Sequence, residues 1–136
     1  MINAYSRGVT LATDGIVPLN TVTIEKGCSV SLLGTSSINL KKAGVYKVEF
    51  YAESLAGVSG AVQFSMLVNG VAQQGNTTRI AGATTTGSVT VPIVALVQVG
   101  HNDCKCNCNS MPTVIQFVND GVATISDVNV VVTKIC

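Results

Sequence analysis

Residues 44–54, "GVYKVEFYAES", alternate: Tyr46, Val48, Phe50 and Ala52 fall on one side of an extended chain, with Val45, Lys47, Glu49 and Tyr51 on the other. Successive side chains of a β-strand point to opposite faces, so one face of this segment is apolar and the other carries both charges. That is a half-buried antiparallel strand. In "AVQFSMLVNG" (61–70) Val62, Phe64, Met66 and Val68 share a face opposite Gln63 and Ser65. The run stops at Asn69-Gly70, a pair that tolerates the positive φ angles of a type I′ turn, and a hairpin into "VAQQ" (71–74) follows. In "TVIQFVNDGVATI" (113–125), Asn119-Asp120-Gly121 separates two further alternating runs and reads as the same device. The β-branched tracts "TTTGSVTVPIVALVQV" (84–99) and "DVNVVVTKIC" (127–136) suit a pleated sheet. Pro92 cannot donate to a ladder, which places its strand at an edge or a bulge. No window carries a helical stripe. Short strands at roughly ten-residue spacing, punctuated by Gly and Asn, predict an all-β antiparallel sandwich or barrel.

The 136 residues are 47% apolar and only 11% charged. A lone domain of that composition would show water a surface of Ser, Thr, Asn, Gly and Val, whereas area hidden between copies needs no charge to stay soluble. "VNVVVT" (128–133) points the same way, being apolar on both faces. One face can meet the core, and with no helices to cover the other the simplest cover is an identical subunit. Eight basic and seven acidic residues are scattered and there is no Trp, so the cationic footprint and stacking aromatics of a nucleic-acid binder are missing. No run approaches the 18 apolar residues of a membrane span, and "MINAYSRGVT" (1–10) lacks the layout of a signal peptide. The expectation is a chain made in a cytoplasm.

The order "INLKKAGVYKVEFYAES" (38–54), "FSMLVNGVAQQG" (64–75), a long central strand, "PTVIQFVNDG" (112–121) and "VNVVVTKI" (128–135) resembles the globular heads of the tumour-necrosis-factor and complement-head superfamily. Gly44-Val45-Tyr46 and Leu67-Val68-Asn69-Gly70 carry most of that likeness. More narrowly, the chain is similar to short jelly-roll proteins encoded among the structural genes of phages and prophages of Gram-positive bacteria, in its "NVVVTKIC" ending and in "CNSMPT" (108–113). The resemblance implies a TNF-like jelly roll over residues 18–136 that assembles as a homotrimer, with Tyr46, Val48, Phe50, Val130 and Val132 packing its core or trimer axis. It further implies a non-enzymatic virion component on the capsid exterior, a decoration or head-fibre protein whose partners are itself and the major capsid protein. Residues 1–17 are expected to be an arm that docks onto the shell. A receptor-binding or adhesin tip is the alternative, since the same fold serves there too.

One stretch departs from this pattern. "HNDCKCNCNS" (101–110) holds the chain's only His and three of its five Cys. As a catalytic dyad, His101 and Cys104 would need a group to orient the imidazole and an oxyanion hole, and only Asp103 is near in sequence. As a metal site, Cys104, Cys106, Cys108 and His101 are donors that select zinc. Alternate positions of an extended strand lie roughly 6.5 Å apart, so the chain must turn for two sulfurs to share an ion, and the Asn and Asp between them favour turns. As a covalent staple, the cluster, Cys28 and Cys136 could pair in several ways, including Cys28 with Cys136 and inter-chain bonds, and Cys28 reads equally as a small buried apolar residue. The segment is expected to stabilise one end of the assembly through metal or disulfide; no cofactor is required for the fold.

Overall fold

A computed structural model describes residues 1–55, 60–81, 88–100 and 112–136. Eleven strands account for most of them: β1 Ile2–Leu11, β2 Gly15–Ile16, β3 Thr21–Glu25, β4 Val30–Leu33, β5 Ser37–Leu40, β6 Gly44–Leu55, β7 Ala61–Val68, β8 Val71–Ala81, β9 Ser88–Val99, β10 Thr113–Asn119 and β11 Thr124–Lys134. They form two antiparallel sheets, one in the order β3-β1-β11-β6-β9 and one in the order β4-β5-β10-β7-β8, with β2 on β10. The two pack face to face as a jelly-roll sandwich. No helix occurs among the described residues.

Alternation decides which side chains fill the space between the sheets. From β6 come Tyr46, Val48, Phe50 and Ala52, from β11 Val128, Val130 and Val132, and from β7 Val62, Phe64 and Met66, all buried. Phe50 stacks on Phe117 with ring centroids 4.3 Å apart and meets Phe64 at 5.4 Å, so one aromatic cluster ties the sheets together. The Tyr46 ring is buried as well, and its hydroxyl donates to the Lys42 carbonyl at 2.7 Å. Desolvation raises its pKa above the usual phenolic value.

Two turns of similar composition do different jobs. Asn69 and Gly70 take φ of 51° and 80° and join Val68 to Val71 in a two-residue hairpin, as the sequence predicts. The expected hairpin at Asn119-Asp120-Gly121 does not form, because β10 and β11 belong to different sheets. Here the chain crosses the sandwich. The Asn119 side chain, fully buried, donates to the carbonyls of Leu11, Ala12 and Val122 at 3.0–3.3 Å and accepts from the Gly121 N–H at 3.1 Å. Gly121 passes so close to β7 that a Cβ would sit 2.5 Å from the Ala61 carbonyl oxygen and the Gln63 nitrogen.

Residues 1–17 are not a separate arm. β1 lies between β3 and β11 in the five-stranded sheet, paired from Ile2↔Val132 to Leu11↔Thr124, and Ile2, Ala4 and Leu11 are core residues. The segment reads as irregular because its alternation breaks at a bulge between Ser6 and Val9, where Gly8 has φ of 58°. Pro92 lies where a missing N–H costs least, on β9 at the edge of the sheet. Its carbonyl accepts from Thr78 Oγ1 at 2.6 Å, which links β8 to β9 along one side of the sandwich.

Candidate functional site

Strand register sorts the outward face of the five-stranded sheet into rows. Asp127, Glu53 and Thr90 form one row; Tyr5, Asn129, Tyr51 and Pro92 the next; Asn3, Val131, Glu49 and Val94 the third; Thr133, Lys47 and Leu96 the fourth. The first row carries two carboxylates, while Glu49 and Lys47 of the third and fourth rows pair with each other. Apolar area gathers on β9, where Leu96 is 66% and Val94 57% exposed, and Tyr51 adds to it at 41%. The valine run that suggested two apolar faces on β11 resolves differently: Val128, Val130 and Val132 all point inward, and only Val131 points outward, between Asn129 and Thr133.

At the charged end the face is indented. A groove of about 360 Å³ is bounded by Tyr5, Arg7, Tyr51, Glu53, Asp127 and Asn129, with Asn3, Ser6, Thr23, Thr90 and Val128 completing its lining. The bulge in β1 helps to build it, since the Gly8 N–H freed there donates to Asp127 Oδ1 at 2.7 Å. Ser88 Oγ donates to Glu53 Oε1 at 2.7 Å, and the Arg7 guanidinium lies 5.8 Å from the Tyr5 ring centroid. One ion pair occurs among the described residues, Lys47–Glu49 at 3.0 Å, two rows away. Asn3 Oδ1 is buried with no hydrogen-bond donor. The groove thus offers tyrosine rings and three separated charges, which suits it to receive a polar surface.

Tyr46, Val48, Phe50, Val130 and Val132 lie inside the single sandwich, none on an outward face. His101, Cys104, Cys106 and Cys108 lie outside the described residues. Cys28 is neither buried nor bonded to Cys136: it is a free thiol exposed in the turn before β4. A hydrogen bond and the positive charge of Lys42, with a smaller contribution from Lys41, hold this thiol below its ordinary pKa. Cys136 is in a disulfide with another cysteine. Its carbonyl accepts from the Val45 N–H at 3.2 Å, and Gly44 pairs with Val99, so the chain terminus and the end of β9 share one end of the sandwich. The outward residues Tyr5, Arg7, Tyr51, Glu53 and Asp127 were not singled out from sequence; the outward positions of "GVYKVEFYAES" were their one visible trace.

No family model matches this chain, and no curated protein matches it by sequence. Its fold does match solved structures. The globular domain of zebrafish complement 1qA superposes with a TM-score of 0.69 at 12% identity, covering 99% of this chain and 96% of that one. PRD1 vertex protein P5 gives 0.64 at 14% identity, over 99% and 96%. Eiger TNF from S. frugiperda gives 0.64 at 10% identity, over 99% and 92%. At these identities the likeness is one of fold, and the chain is a jelly roll of the TNF and complement-head type.

Proposed function

We propose that this protein is a structural subunit of a phage particle, a homotrimer that decorates the capsid exterior at capsomer junctions and binds the major capsid protein. The observation that carries the reading is the outward face of the five-stranded sheet. It brings Val94, Leu96 and Tyr51 to the surface of a chain with few charges, where a second copy would remove them from water. A fold shared with a phage vertex protein supports the virion setting. The role assigned is mechanical rather than catalytic: a subunit that binds only the assembled shell shifts the equilibrium toward it. Because β1 is built into the sheet, shell contact falls to exposed surface rather than to an N-terminal arm.

The segment 101–110 is assigned to the same stabilising work, through disulfides, or through zinc on His101 and those of Cys104, Cys106 and Cys108 that are not paired with Cys136. Of the strands on either side of it, β9 pairs Val99 with Gly44 and β10 pairs Thr113 with Leu40. Light scattering is expected to give a mass three times the 14.0 kDa chain, and shells stripped of the protein are expected to regain it and to resist heat better once they have. A single chain at micromolar concentration, or stripped shells that neither bind nor gain from it, would overturn the reading.

A further inference from the structure

We infer that the groove at the charged end of the outward face is completed by a second copy of this chain, whose Arg7 pairs with Glu53 and Asp127 across the contact. The inference rests on the self-association proposed above and names the charges that set its register. Within one chain these three groups are held apart. Asp127 is anchored by the Gly8 N–H and Glu53 by the Ser88 hydroxyl, both neutral donors, while Arg7 lies against the Tyr5 ring. None of the three belongs to the one ion pair found among the described residues.

In water this arrangement costs little. Covered by another surface it becomes expensive, because an ion taken out of water without a counter-ion loses several kcal/mol of hydration. A second copy can therefore cover this end of the face only in a register that pairs these charges. This end of the face can supply both sides of such a contact, since each copy presents the Arg7 guanidinium and two carboxylates held by hydrogen bonds. That charge complementarity favours another copy over an unrelated partner.

The test compares the full chain with Arg7→Glu and with the charge swap Arg7→Glu/Glu53→Arg, following association by light scattering against protein and salt concentration. Arg7→Glu is expected to raise the association midpoint at least tenfold and to flatten its salt dependence. The swap, which keeps the composition of this end of the face and the Gly8–Asp127 bond, should bring the midpoint back to within about threefold. Each variant's association is read against the melting of its own dilute, dissociated chain, since Glu53→Arg removes the Ser88–Glu53 hydrogen bond and Arg7→Glu the Arg7–Tyr5 contact. Arg7→Gln carries the test if Arg7→Glu does not fold. Unchanged association in Arg7→Glu, or a well-folded swap that fails to associate, overturns the pairing while leaving self-association standing. A wild type that stays a single chain at every concentration overturns both.

Discussion

The two faces of β6 are written in the same dozen residues and answer to different demands. Inward, Tyr46, Val48, Phe50 and Ala52 meet Val128, Val130 and Val132 of β11 and the aromatic rings of the opposite sheet, so every position is fixed by packing inside one chain. Outward, among the described residues, Lys47, Glu49, Tyr51 and Glu53 have their strand partners in their own sheet. The inner face sets whether the chain folds. The outer face is free to vary as long as it stays extended, so its particular choice of tyrosines, separated charges and β9 aliphatics records something other than stability. Substitutions on the two faces should separate accordingly.

The largest effect belongs to Phe50→Ala. Phe50 touches both Phe64 and Phe117, and removing a buried ring from such a cluster costs about 3–5 kcal/mol through lost transfer energy and the cavity left behind. Chemical denaturation is expected to show that loss as a lower midpoint with an unchanged slope. A loss below 1 kcal/mol would mean that the two sheets are not held together here. Asn119→Ala comes next, at about 1–3 kcal/mol, since it removes the buried donor to the Leu11 carbonyl and the part-buried bonds to the Ala12 and Val122 carbonyls where the chain crosses between sheets. Asn69→Ala is the control, with a milder cost expected for its exposed hairpin turn, and an equal loss in both variants would remove the distinction between the two turns.

How far these features could be read in the sequence follows the range of the forces behind them. Alternation is local, so the strands at 44–54 and 61–68 and the turn at Asn69-Gly70 are legible, and of the edge or bulge that Pro92 implies the structure shows the edge. The role of Asn119 is not legible locally, because a tight turn and a sheet crossing use the same letters; its partners Leu11 and Ala12 are more than a hundred positions away. The period of β1 is disguised by one bulge at Gly8, although the strand pairs on both sides. The jelly roll came from a likeness of motif order, which the fold supports. The groove was out of reach, since Arg7, Glu53 and Asp127 meet only through the register of β1, β11 and β6.

The smallest effect on the fold is expected from Leu96→Ser, and it sharpens the comparison most. Leu96 is two-thirds exposed, so replacing it removes little buried area from the single chain, and the dilute protein should unfold within about 0.5 kcal/mol of wild type. If copies associate through this face, the position is covered at high concentration and stability acquires a mass-action term that grows with the amount of protein present. Wild-type melting temperature should then climb with concentration, and that of Leu96→Ser should climb less steeply from the same dilute limit. Phe50→Ala should instead lower the dilute limit itself. Concentration series that shift in parallel for Leu96→Ser, with no change of slope, would mean that Leu96 belongs to the sandwich alone and that its exposed neighbours Val94 and Tyr51 need another explanation.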